Sequence, residues 1–361
     1  MSAASHSHRN ASADPAAWAR ELGVSREAIE LYLRSEVIDL HLDSFIWTRI
    51  FGYDLRRHHG QGPFGARFFY QVDLPRVREA ALAGATWVIT TNPLRSARRR
   101  PEVLLENLQR LQGIFDSMPD EVRVVRNAAE YRAARAAGLH AAFIGIQGGN
   151  ALDRDANCVD LIPDDLVLRV TLVHLTASRI GATSAPTDPR GRTGLSQFGR
   201  ELVARLNARR IGVDLAHIDR RGFFDAVEAH DSSQPLLVTH TGVCGVHRHW
   251  RNLDDAQLRA VADTGGTVGV IYQASFLADP PLRGSAESVV QHLAHIVETV
   301  GDDHASLGSD WDGAIVPPRD LRSPRELPRL VEAMLRRGWD ATRIQKILGG
   351  NFLRVVEALR G

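Results

Sequence analysis

Residues 37–43 read VIDLHLD, a short apolar run that ends in a histidine and a carboxylate, His41 and Asp43. Alternate side chains of an extended strand share a face, so these two point to one side together with Val37 and Asp39. The same arrangement recurs along the chain. IGVDLAH (211–217) ends at His217, PLLVTH (235–240) at His240 and HASLGSD (304–310) at Asp310, while FIGIQGGN (143–150) places Gln147 at the equivalent point. Working outward gives β-type runs near 37–43, 85–91, 141–147, 168–174, 211–217, 235–240, 267–273 and 304–310. Several are nearly continuous apolar runs, the pattern of parallel strands buried on both faces. Helical periodicity falls between them, near 74–83, 100–117, 127–137, 195–209, 219–230, 253–264 and 285–300, and over 326–359 with a break. VRVV at 122–125 reads as an outlying strand.

Eight strands alternating with helices predict a (β/α)₈ TIM-type barrel. The rival is an open doubly wound sheet, but no GxGxxG follows an early strand and no midpoint reverses the order. A closed barrel also gathers polar strand ends into one mouth, whereas an open sheet would spread them along an edge. The expected division is an N-terminal tail and helix over 1–36 and a single catalytic barrel over 37–361. Residues 1–16 read as a frayed tail, and Ser25 as the N-cap of the helix that follows. The Gly/Pro/Ser/Thr-rich stretch 176–194 is a loop at the mouth, either a lid or a passive connection.

Composition narrows the partners. The chain has 361 residues, 44% of them hydrophobic, and a net charge of +1, so overall charge implies neither nucleic acid nor an anionic membrane. The run Arg95, Arg98, Arg99, Arg100 reads as a solvated helix start. Cys158 and Cys244 lack metal-type spacing and suit a reducing compartment. No run approaches membrane-span length and the N-terminal stretch lacks a signal-type apolar core, so the expectation is a cytoplasmic protein.

Five ligand-type side chains at four strand ends point to a catalytic metal centre, since imidazole and carboxylate are the donors a zinc-like ion takes. At this point the chain resembles the renal (membrane) dipeptidase family of zinc peptidases, within the amidohydrolase-type barrels. The motifs that carry the resemblance occur in order over nearly the whole chain. They are DLHLD (39–43), DLPRVREAALAGATW (73–87), TLVH (171–174), the strands ending at His217 and His240, Arg251-Asn252 eleven residues after His240, HLAHIVETVGDDHASLGSDWDG (292–313) and GGNFLRVVEA (349–358). The resemblance implies two zinc ions, one on His41 and Asp43 and one on His217 and His240, with a bridging glutamate between them. It makes Asp310 the proton carrier beside a metal-bound hydroxide, His174 an oxyanion-stabilising donor and Arg251 a clamp on the substrate carboxylate. It also implies a dipeptide or similar small substrate and a homodimer.

The chain departs from that pattern at the bridging position, which here is Gln147. Two dications about 3.5–4 Å apart repel by roughly 17–19 kcal/mol at an effective dielectric of 20. A carboxylate offsets part of this; an amide does not. Lys346, the single lysine, lies in the C-terminal helical region and offers no substitute bridge, and Asp153 or Asp155 would have to reach in from the next loop. The expectation is one tightly bound zinc and a second that is weak or absent. Three readings stay open: a one-metal hydrolase of a small carboxylate-bearing substrate, a two-metal enzyme with a weak second site, and a non-catalytic ligand- or partner-binding barrel. His58, His59, His247, His249 and Trp311 have bland readings as loop or packing residues.

Overall fold

A computed structural model describes residues 14–62, 64–186, 191–279 and 284–361. Residues 1–13 and residues 187–190 of the 176–194 loop lie outside them. The apolar runs form β1 (Ile38–Leu42), β2 (Gly84–Thr90), β3 (Val122–Val124), β4 (His140–Gln147), β5 (Val167–Thr171), β6 (Gly212–Asp214), β7 (Leu237–Thr241), β8 (Thr267–Val270) and β9 (Ala305–Leu307). Their order in the sheet is β1-β2-β4-β5-β6-β7-β8-β9, and every pairing is parallel. β3 stands off this path. It takes the first half of one edge of β4, from Val122↔His140 to Val124↔Ala142, and β5 takes the second half, from Ile144↔Val167 to Gln147↔Thr171.

The ring closes just beyond β9. Leu42 bridges Trp311, the Asp43 amide donates to the Trp311 carbonyl at 2.9 Å and the Asp310 amide to the His41 carbonyl at 3.1 Å. The result is a nearly closed barrel of eight parallel strands, as the alternation of runs predicts. Helices wrap it because their apolar faces recur every three or four residues. In Ala286–Val300, Val289, Val290, Leu293 and Ile296 are buried, and Ser285 opens the helix with a capping box to Ser288.

Ser25 caps Arg26–Leu33 by accepting from the Ala28 amide. Residues 15 and 16, expected in the frayed tail, belong instead to a helix, Pro15–Leu22, capped by Asp14. Burial of Trp18 and its indole bond to the Arg325 carbonyl at 3.1 Å hold that helix to the body. A second helix that periodicity did not mark, Phe45–Phe51, follows β1 almost at once. Only Asp43 and Ser44 separate its apolar residues from those of the strand, which hides the change of period. Among the described residues no helix is long and apolar enough to cross a membrane.

Candidate metal centre

Parallel strands all end at one rim, so residues at their C-termini converge. His41, Gln147 and His240 are carried by β1, β4 and β7 themselves, while Asp43, His174, His217 and Asp310 lie one to three residues beyond β1, β5, β6 and β9. His217 and Asp310 adopt left-handed backbone, φ +69° and +61°. Such conformations cost a side-chain-bearing residue roughly 1–3 kcal/mol and persist only where the surroundings enforce them.

The structure brings these residues to one place. His217 Nε2 lies 2.8 Å from His240 Nε2. Gln147 Nε2 is 3.4 Å from the first and 3.5 Å from the second. His41 Nε2 is 3.5 Å from Asp43 Oδ2 and 3.6 Å from Asp310 Oδ1. The His41 and His240 rings lie 3.8 Å apart, and His174 meets His217 edge-on at 4.6 Å. Arg251, buried, donates to the His240 carbonyl at 2.7 Å. Thr90 joins the two halves by donating to Asp43 Oδ1 at 2.5 Å while facing Gln147 Oε1 at 3.0 Å.

Beneath lies a polar network that sequence reasoning missed. Asp214 accepts from the hydroxyls of Thr171 at 2.6 Å and Thr239 at 2.7 Å, from the Thr239 and Ala216 amides, and from Arg169 at 3.1 Å. Arg169 also donates to His41 Nδ1 at 2.8 Å. The one available signal was a charged residue inside an otherwise apolar run, VLRVTLV (167–173). Its partners sit on β1 and β6, and only the closed ring reveals them.

Burial sets the charges. It pushes the Asp310 carboxyl well above the usual carboxylate range, and the Asp43 charge adds to this against the pull of Arg251. Burial acts on Asp43 too, but His41 and Thr90 more than offset it and hold that carboxyl below its ordinary value. Burial, then the neighbouring cations, holds His217 and His240 far below the ordinary imidazole value. Desolvation likewise takes His174 down to about 4. The rim thus offers one ionised carboxylate, one carboxyl with raised proton affinity and neutral imidazoles, the form in which histidine binds metal.

Whether these donors fit an ion can be tested on hydrogens. Thr239 spends its single hydroxyl hydrogen on Asp214, so its contact with His240 Nδ1 at 3.0 Å must run from the imidazole N–H to the hydroxyl oxygen. His240 Nε2 therefore keeps its lone pair, aimed at the mouth, as the second-shell pattern of a ligating histidine requires. Donors on a tetrahedral zinc are about 3.3 Å apart, given Zn–N bonds of roughly 2.0–2.1 Å. Turning the Gln147 amide over would place Oε1 at about that spacing from both imidazoles and give Nε2 to Thr90. The His217 and His240 nitrogens, 2.8 Å apart, would have to open slightly to reach that spacing; with that adjustment the His217, His240 and Gln147 side of the centre can hold a cation. His41, His240 and Asp310 also present ligand atoms within 4.8 Å of one another.

Other residues weighed from sequence stay out. Asp153 pairs with Arg100 at 3.4 Å and Asp155 caps the next turn. Lys346 pairs with Asp302 and Asp303, before β9. His59 stacks on Tyr53, His58 accepts from the Gly60 amide, His249 stacks on Phe276 and His247 lies near Asp279. Trp311 is buried against Tyr272 and bonds the Leu321 carbonyl.

Comparison with known proteins agrees with this architecture. An uncharacterised protein of the pqqA 5′ region of Klebsiella pneumoniae is 30% identical over 262 residues, 71% of this chain and 96% of that protein. Dipeptidase tcpJ of Claviceps purpurea (strain 20.1) is 27% identical over 251 residues, 70% of this chain and 58% of its own length. The crystal structure of a metallopeptidase from Rhodobacter sphaeroides, liganded with a phosphinate mimic of the dipeptide L-Ala-D-Ala, superposes with a TM-score of 0.80 at 26% identity, covering 90% of this chain and 99% of that one. The family model for membrane dipeptidase, peptidase family M19, matches residues 25–360. This chain belongs to the membrane dipeptidase family.

Proposed function

We propose that this protein is a zinc-dependent hydrolase that cleaves a peptide or amide bond in a small carboxylate-bearing substrate while holding a single ion tightly. The observation that carries the reading is the neutral amide of Gln147 between His217 and His240, in a rim that otherwise keeps its acid and imidazole set. When bound, the ion supplies Lewis acidity toward the scissile carbonyl and the attacking water. His217 and His240 would hold it, with Gln147 as a weak third donor. Asp310, in its carboxylate form, would take a proton from water and, as the carboxylic acid so formed, deliver it to the leaving amine. His174, neutral, donates to the oxygen that becomes negative. The buried Arg251 guanidinium offers a charge to the substrate carboxylate.

A second reading follows from the same amide. As oriented, Gln147 turns its Nε2 hydrogens toward the two imidazoles, the orientation of a ligand-binding cavity rather than of a metal donor. One paired measurement decides: zinc content after dialysis, and hydrolysis of a dipeptide panel with zinc added. About one equivalent with cleavage of some member is the expected result. Two firmly held ions remove the argument from Gln147, and metal without turnover on any dipeptide or small amide favours the binding barrel.

A further inference from the structure

Arg169 is wholly buried in the barrel floor, and four of its five N–H groups have defined acceptors. One terminal nitrogen donates to Thr171 Oγ1 at 2.6 Å and Asp214 Oδ2 at 3.1 Å. The other donates to His41 Nδ1 at 2.8 Å and to the Leu40 carbonyl at 3.3 Å. The position is built to receive it. In the sheet register Arg169 stands between Gly145 on β4 and Gly212 on β6. A Cβ at Gly145 would lie 2.9 Å from Arg169 Nε, and one at Gly212 would lie 3.2 Å from Arg169 Cβ. Glycine on both flanking strands leaves the room that the arginine fills.

The direction of the bond to His41 matters more than its length. A guanidinium has donors and no acceptor, so Nδ1 must accept. A neutral His41 then carries its hydrogen on Nε2, the nitrogen that faces Asp43 and Asp310. Ligating histidines show the opposite pattern, donating from the outer nitrogen so that the inner lone pair meets the metal. His240, with Nδ1 toward Thr239, has the ligating arrangement; His217 Nδ1 has no partner among the described residues to fix its tautomer; and the Arg169 bond at 2.8 Å, much shorter than the 3.4 Å contact of the same nitrogen with Thr239, fixes His41 the other way. A fixed positive charge already stands behind the His41–Asp43 half of the centre, where a dication would otherwise balance the carboxylates.

We propose that Arg169 is a built-in cation that keeps His41 in the Nε2–H form and takes the place of the ion His41 and Asp43 would hold, confining metal to the His217–His240 side. This rests on the metal-centre reading above and adds which half stays empty and why. It follows that Gln147 is only part of the cause: restoring a bridging carboxylate beside a guanidinium and an Nε2–H imidazole does not by itself rebuild the other half.

The test is a double-mutant cycle in zinc binding on the full chain, with wild type, Gln147→Glu, Arg169→Met and the double variant titrated alongside elemental analysis after dialysis. The expected result is coupling. Gln147→Glu should raise second-ion affinity roughly ten- to hundred-fold more in the Arg169→Met background than alone, with two ions retained only in the double variant. Equal effects of Gln147→Glu in both backgrounds, or two ions held by wild type, would overturn the proposal. Arg169→Met risks misfolding, so a second readout uses the unaltered protein. ¹⁵N-histidine NMR should show His41 protonated on Nε2 both before and after one equivalent of zinc, while His217 and His240 change. Loss of the His41 Nε2 proton on zinc addition overturns the proposal even if dipeptides are cleaved. One ion with His41 unchanged supports it even if nothing is cleaved, in which case only the hydrolase reading falls.

Discussion

Burial beside Asp43 raises the proton affinity of the Asp310 carboxyl, the direction that suits a group which takes up a proton and returns it. Asp310→Asn keeps the size and removes the shuttle. The expected outcome is a fall in turnover of about 10²–10⁴-fold with zinc content after dialysis unchanged, measured on whichever substrate the dipeptide panel identifies. Undiminished hydrolysis would take Asp310 out of the proton path. At this scale the sequence was informative where chemistry and position coincide. His41, Asp43, His217, His240 and Asp310 are polar residues ending apolar runs, and the strand ends bring them together. Gln147 was legible because it is an amide where its neighbours predict an acid. Arg169 and Asp214 were not, because their meaning lies in partners on other strands of the ring. A guanidinium on β5 reaches His41 on β1 across the interior, a contact that no local pattern encodes.

Elements were legible in proportion to how clearly their period shows. The strands are short, but each is an apolar run bounded by helical stretches, so all of them were found, β3 included. The helix Phe45–Phe51 was missed because Phe45, Ile46 and Trp47 resume the apolar pattern only two residues after β1, across Asp43 and Ser44. Glycines inside elements separate into two kinds that the sequence cannot tell apart. In Arg100–Asp116, Gly113 is exposed and a Cβ there would meet nothing within 4 Å. Gly113→Ala should therefore stabilise by about 0.5–1 kcal/mol, through helix propensity and a smaller unfolded ensemble. Gly145→Ala in β4 meets Arg169 Nε at 2.9 Å and should destabilise by about 1–3 kcal/mol, as overpacking does. Urea unfolding of both variants gives the comparison. If Gly145→Ala is neutral, the arginine has freedom that its four hydrogen bonds do not suggest, and the account of its position weakens with it.

The whole molecule depends on the seam that turns a sheet into a barrel, because only closure sets β1 and β9 side by side and completes the rim. Asp39 stands at that seam. Its Oδ1 accepts from the His41 amide at 2.9 Å and from the Ser309 amide at 3.0 Å, tying β1 to the segment after β9, while its buried Oδ2 has no hydrogen-bond partner among the described residues. Desolvation dominates these bonds and pushes the carboxyl up to about 7. A folded-state value above the unfolded one means that the native protein binds the extra proton. The stabilisation from Asp39 is then fully present below about pH 4, the ordinary range of a free carboxyl, and is lost as pH rises through 7. Asp39→Asn keeps an acceptor for both amides and cannot ionise. Relative to wild type, the variant should therefore gain stability steadily between about pH 4 and pH 8, read as the difference in urea midpoint at each pH. Taking the difference cancels the titrating groups that Asp39 does not influence; Asp310, whose carboxyl the Asp39 charge helps to raise, is not among them. A difference that stays constant over this range would mean that Asp39 is ionised throughout. The seam would then hold a buried charge, satisfied by the His41 and Ser309 amides, in place of a neutral hydrogen-bonding acid.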